Sequence, residues 1–197
     1  MIPFPWVFLE SFEVQRDHSS PRVEDLSVSG DAEAWTIGKT VLRYRLEGVA
    51  MSEHRATVHW IRNEREFTPK GYSRDHLWKL GNGNEVHASA APEYLGNPDL
   101  VDPERAFVAA LSSCHMLTFL AVAARDGFVV DEYQDEAVGL MERNHEKRIA
   151  ITKVVLRPRI TWNSEPPTSE ELEKLHGKAH KHCFIANSVA TVITVEF

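Results

Sequence analysis

The sequence predicts an α+β fold, with elements in the order ββ-α-ββ-α-β around a long buried central helix. Three observations carry the prediction. A run of 19 residues, AFVAALSSCHMLTFLAVAA from position 106, is apolar on almost every face. Alternating segments stand on both sides of it, and a second, amphipathic segment follows near the end of the chain. Strands grouped before and after helices, rather than alternating with them singly, are the α+β pattern.

From Met51 onward each element has a local reason. ATVHWI at 56–61 alternates and reads as a strand. Pro69-Lys70-Gly71 is a turn signal. His76–Leu80 and Glu85–Ala90 flank Gly81-Asn82-Gly83-Asn84, a hairpin signature. The stretch from Pro92 to Asp99, with two prolines and Gly96, reads as a loop. Asp102 is placed to cap the central helix, Pro103 suits its first position, and Glu104 suits the positive end of its dipole. Gly127 supplies the stop. Such a helix either spans a membrane or lies at the centre of a core. Its Ala and Ser content favours the core, with a second subunit to help cover it.

Strands follow at 128–143, broken near Tyr133–Asp135, and a turn at Asn144–Lys147. Arg148–Trp162 reads as one long strand in which Pro158 marks an edge or bulge. Thr168-Ser169-Glu170-Glu171 is a capping box opening the second helix. The apolar stripe of that helix is Leu172, Leu175, Ala179 and Cys183, and Val189–Phe197 closes the fold as a strand.

Residues 1–50 differ. Asp17–Asp31 is polar and aperiodic, and 34–46 could form a strand or two with no obvious partner segment. Glu47-Gly48 lies shortly before Met51, where a purine-rich GAGGG-type coding string would resemble a ribosome-binding site read in frame. One expectation is that Met51 is the biological start, with 1–50 an upstream or dispensable extension. The alternative is an extension that packs on the core.

Composition excludes several classes. The 197 residues carry 22 Lys+Arg against 29 Asp+Glu, a net charge of −7, with no basic stripe for nucleic acid. The N-terminus lacks a basic signal-peptide region and a small-residue cleavage site. Two cysteines are too few for a secreted disulfide framework, which points to the reducing cytoplasm. No cofactor, metal, membrane or nucleic-acid partner is expected.

Chemistry centres on those cysteines. A lone buried cysteine is ordinarily a small hydrophobe. Cys114, however, sits in a polar notch formed by Ser112, Ser113 and His115, and Cys183 follows the basic cluster His180-Lys181-His182. A thiol near cations tends toward thiolate. His176 and His180 have metal-ligand spacing, but a solvent-exposed polar helix face explains them as well.

Asp102-Pro103-Glu104 followed nine residues later by Cys114 resembles the first-cysteine helix of the OsmC/Ohr family, the osmotically inducible and organic hydroperoxide resistance proteins. Ala179–Cys183 looks like the family's second-cysteine signature. Arg74-Asp75 resembles its active-site Arg-Asp pair. The resemblance covers about 54–197 and not 1–50. It implies an OsmC-like intertwined homodimer that reduces organic hydroperoxides, with hydrogen peroxide a further candidate, at the expense of a dithiol reductant. Cys114 would be the peroxidatic thiolate, Cys183 the resolving thiol, Arg74 the activating cation and Glu104 its anchor. A non-catalytic protein binding a small ligand on the same fold is the alternative. The chain departs from the family in the residues after its second cysteine, Phe184–Ser188, and in its Pro92–Asp99 loop.

Overall fold

The computed structural model describes residues 34–37, 40–43, 52–163 and 165–197. The chain divides into two compact units, Met1–Glu53 and His54–Phe197. In the first, β1 (Ala34–Ile37) pairs antiparallel with β2 (Thr40–Arg43), Ala34 opposite Arg43. The segment expected to lack a partner therefore partners itself. The rest of the 1–50 extension, and Met51, lie outside the described residues.

The second unit begins with a three-stranded antiparallel meander of β3 (Thr57–His59), β4 (His76–Lys79) and β5 (Glu85–Ala88). The Gly81–Asn84 turn closes on itself through Leu80 N–H to Asn84 O at 2.9 Å. Gly81 and Gly83 have φ of +85° and +78°, the left-handed region that suits glycine. Within one chain β3 is exposed throughout, with Val58 66% exposed.

A single 3-10 turn, Pro92–Tyr94, leads toward the central helix. Gly96 is obligatory there, because a Cβ would fall 1.6 Å from the Ala90 carbonyl oxygen. Buried Ser89 joins this loop to the meander: its hydroxyl donates to Asp75 Oδ1 at 2.8 Å and accepts from Asn97 N–H at 3.0 Å. Next comes α1 (Pro103–Arg125), where Asp102 caps by accepting from Arg105 N–H at 2.7 Å.

β6 (Val130–Asp135) and β7 (Val138–Arg143) follow. The break between them falls at Glu136–Ala137, later than the sequence suggests. Asp135 fixes the end of β6 by accepting from Ser112 Oγ at 2.5 Å and from Arg157 N–H at 2.6 Å. The long strand expected over 148–162 is two, β8 (Ile149–Leu156) and β9 (Pro158–Trp162). The chain changes sheets at Arg157, so β8 joins β7 while β9 pairs with β6.

α2 (Ser169–His182) opens with the complete Thr168–Glu171 capping box. After a 3-10 turn at Ala186–Ser188, β10 (Val192–Val195) pairs parallel with β8. The core lies where α1 meets α2 and the strands. Phe119, Val122 and Ala123 pack with Leu175 and Ala179, and Leu111 packs with Val154 and Leu156. Gly139 lets β7 pass close to α1, since a Cβ there would meet Val108 Cγ2 at 2.6 Å.

Candidate active site

The apolar periodicity of the two helices decides where the cysteines go. Leu111, His115, Phe119 and Val122 form the buried stripe of α1, and Cys114 lies at its edge, half-buried. Cys183 is the C-cap of α2 and is wholly buried. Both are free thiols, and Cys114 is close enough to act on the Cys183 thiol. Past the helix end, the chain turns two amides onto the sulfurs. Ile185 N–H lies 3.5 Å from Cys114 Sγ, and Ala186 N–H lies 3.4 Å from Cys183 Sγ.

The two thiols differ in environment. Burial pushes the Cys183 thiol up to about 11, and the neighbouring Cys114 acts in the same direction. The Ala186 amide opposes both effects without overcoming them. Cys183 therefore keeps its proton near neutrality beside the Cys114 sulfur. The result is a dithiol in which one member is a buried proton donor and the other is the more accessible.

Arg74 and Glu104 are placed elsewhere within the chain. The Arg74 guanidinium donates to the carbonyls of Pro69 at 2.6 Å and Tyr72 at 2.7 Å, and lies 4.1 Å from the Tyr72 ring centroid. It organises its own loop. Asp75, its sequence neighbour, instead receives the Ser89 hydroxyl. Glu104 lines a cavity of about 640 Å³ together with Val108, Ser112, Tyr133, Asp135 and Ile151. Among the described residues, no ion pair joins Arg74 to Glu104, and no hydrogen bond joins either to Cys114 within one chain. Ten residues of helix hold Glu104 about 15 Å from Cys114 along the axis.

Residues 96–197 match the family described as OsmC-like protein. The chain is also 47% identical to an OsmC-like protein of unknown function from Vibrio cholerae, covering 74% of this chain and 99% of that one, with a TM-score of 0.71. The chain belongs to the OsmC-like family. The same fold recurs at 22% identity in an organic hydroperoxide resistance protein from Elizabethkingia anophelis, covering 75% of this chain and 94% of that one, TM-score 0.58. It recurs at 20% identity in one from Legionella pneumophila, covering 75% and 96%, TM-score 0.56. No functionally curated protein matches the chain.

Directly behind the cysteines, this OsmC-like chain holds a feature that sequence reasoning missed. His115 Nε2 and His176 Nδ1 are 3.1 Å apart, with the rings 1% and 3% exposed. His176 is not on an exposed polar face of α2, as the metal-spacing alternative supposed. The signal was available in the stripe itself, since 176 lies four residues after Leu172 and three before Ala179. Burial pushes both imidazoles down to about 4, so both are neutral near neutrality; His180 lowers His115 further and Asp135 opposes. Among the described residues, no group of three or more His, Cys, Asp or Glu is placed to hold a metal ion.

The central helix of this OsmC-like protein is long and apolar enough to cross a membrane by length and composition. It packs instead on α2, β6, β7 and β8, yet within one chain only 28% of its most apolar window is buried. The uncovered side carries Ala109, Ala110, Ser113, Leu117, Ala121 and Ala124, with Leu117 58% exposed.

Proposed function

We propose that this OsmC-like protein is a cytoplasmic, thiol-dependent peroxidase that reduces organic hydroperoxides through Cys114 and Cys183. The observation that supports this reading is the asymmetric thiol pair, in which buried Cys183 retains its proton beside the half-buried Cys114. The Cys114 thiolate attacks one oxygen of the hydroperoxide, the O–O bond breaks, and the alkoxide takes a proton to leave as an alcohol. Cys114 becomes a sulfenic acid. The Cys183 sulfur then attacks the Cys114 sulfur and its proton leaves with the hydroxyl as water. A disulfide results, and a dithiol reductant restores both thiols. The Ile185 amide is aimed at Cys114 Sγ, 3.5 Å away.

Assembly as a homodimer would complete the site. The uncovered stripe of α1 is built of small residues flanking Leu117, which allows close approach of a second helix. Glu104 of the partner subunit would then stand near Cys114, since ten residues of helix keep each Glu104 from its own chain's Cys114. Arg74, carried on the loop that leads into β4, would then be the activating cation and Glu104 its anchor. A guanidinium so placed stabilises a thiolate and the departing oxygen.

The alternative of a non-catalytic small-ligand protein draws support from the 640 Å³ cavity beside Val108 and Ile151. One experiment separates the two. Titration with tert-butyl hydroperoxide followed by thiol counting should remove two thiols per chain, and none in Cys114→Ser. Retention of both thiols at excess peroxide would reject the peroxidase.

A further inference from the structure

His115 follows Cys114 directly, and His176 lies two helical turns before Cys183 on the same face of α2. Their bond therefore joins the two thiol-bearing helices next to the thiols. It is walled by rings: Phe119 stacks on His176 at 4.4 Å between centroids, Phe197 stacks on it at 4.7 Å, and the two imidazoles are parallel to within 8°. The remaining ring nitrogens, His115 Nδ1 and His176 Nε2, are buried with no hydrogen-bond partner among the described residues.

Stability alone does not account for such a pair. Two apolar rings of similar size would fill the box without leaving polar atoms unmatched, and replacing both members of a buried bond in this way is often neutral or better. What an N–H···N bond adds is direction. Apolar contacts between α1 and α2 tolerate sliding, because burial is non-directional. The imidazole bond is satisfied at one register only, and displacement along either helix would leave both buried rings without a partner. A buried polar contact that fixes register is the best-supported use of such groups.

We propose that the His115–His176 hydrogen bond is a clasp that sets the register of α1 on α2 so that Cys114 and Cys183 meet, and that acid opens it. This rests on the cysteine pair acting as a unit, as read above, but not on what oxidises it. Both residues are positioning residues, since neither acts on the substrate. A proton on His176 places a cation against Phe119 and Phe197, and a proton on both rings removes the acceptor. The charged groups acting on the pair are His180 on α2 and Asp135 on β6, and Tyr133 of β6 packs against Phe119 beside it. A positive His180 opposes charge on His115, and Asp135 favours it but is already engaged by Ser112 and the Arg157 amide. Tyr133 is neutral, its phenol raised well above the usual range by burial. Relief comes from letting water between the helices, which also draws the sulfurs apart.

The test measures how readily the two thiols close into a disulfide against mixtures of reduced and oxidised dithiothreitol, at pH 7.5 and pH 5, in the full-length protein. His176→Phe keeps a ring in the box and removes the bond. His176→Asn places an amide near the Nδ1 position, so it keeps a bond to His115 while leaving one titrating imidazole in the pair instead of two. His176→Phe should lower the closing equilibrium at pH 7.5 at least tenfold on the expectation that register is lost. His176→Asn should stay within about threefold of wild type at pH 7.5 and should outperform it at pH 5. Wild-type closure in a folded His176→Phe would overturn the clasp. If that variant does not fold, identical pH dependence in wild type and His176→Asn would overturn it instead. Closure that follows the expected pattern in a protein inert to tert-butyl hydroperoxide would support the clasp and reject the peroxidase.

Discussion

The thiol of Cys183, wholly buried at the end of α2, is held beside that of Cys114 at the middle of α1, where consecutive amides, of Ile185 and Ala186, reach the two sulfurs. With the Cys183 thiol pushed up to about 11, its thiolate fraction at pH 7.5 is below about 0.1%. Iodoacetamide at that pH should therefore label Cys114 first and leave Cys183 nearly untouched, as peptide mass spectrometry would reveal. In Cys114→Ser, labelling of Cys183 should become appreciable only as pH approaches 10. Comparable labelling of both residues at pH 7.5 would contradict the assigned roles.

Glu104 cannot reach its own chain's Cys114, so the proposed dimer makes a prediction about mixtures. Glu104→Gln should slow thiol loss to tert-butyl hydroperoxide severalfold, and Cys114→Ser should abolish it. Refolded together in equal amounts, the two variants form mixed dimers in which one site has both an intact Cys114 and an intact Glu104 from across the two-fold. Random pairing should return about a quarter of wild-type activity. Activity no greater than that of Glu104→Gln diluted by half would show that Glu104 does not act across subunits.

The exposed stripe of α1 makes a prediction of its own. Leu117 is 58% exposed in one chain, and an obligate dimer needs an interface of more than about 2,000 Å². Leu117→Asp would place an unpaired charge there and should convert the dimer to monomer in sedimentation velocity at micromolar concentration. Because Leu117 is off the internal stripe of Leu111, His115 and Phe119, the far-ultraviolet dichroism should change little. A wild-type protein that sediments as a monomer would reject the dimer outright.

How much of this was legible in the sequence depends on the range of the signals. Both helices were readable at residue level because their caps are local: Asp102, the Thr168–Glu171 box and Gly127 act on amides and backbone angles within one turn. The change of sheet at Arg157 was not, because Pro158 announces a bend without saying which strand each side will join. The Cys114–Cys183 meeting came from resemblance, as nothing in the spacing of the two helices sets their register. His176 went unread because a histidine among Glu, Lys and His looks solvated, although its position in the Leu172–Cys183 stripe placed it inside. The Arg74 contacts with Pro69 and Tyr72 depend on a loop conformation that residue types alone do not specify.

Cys114, Cys183, Arg74 and Glu104 all fall within the compact unit His54–Phe197. A protein beginning at Met51 is therefore expected to fold and to lose two thiols per chain to peroxide at the wild-type rate. Thermal unfolding of the two forms, followed in parallel, checks this. A fall of more than about 5 °C on truncation, roughly 1–2 kcal/mol for a chain this size, would assign the extension to the fold.

The buried histidines make stability itself depend on pH, and the sign can be worked out. Both imidazoles titrate near 6.5 when unfolded and near 4 when folded. Between those limits the unfolded chain binds more protons, so acid favours unfolding. Their neutral-state contribution is fully present above about 6.5 and is lost progressively as pH falls toward 4, by at most about 1.4 kcal/mol per pH unit for each ring. Urea unfolding of the reduced protein from pH 7.5 to 4.5 should accordingly show a midpoint that falls with acidity. In the double variant His115→Phe/His176→Phe the same series should fall much less steeply, because no buried imidazole remains to be charged. Carboxylates contribute little to that difference: Asp126, lowered mainly by its hydrogen bond to Lys178, and Glu171, lowered mainly by its bond from Thr168, titrate alike in both proteins. Equal slopes in the two proteins would mean that the histidine pair takes up its protons without opening the helices.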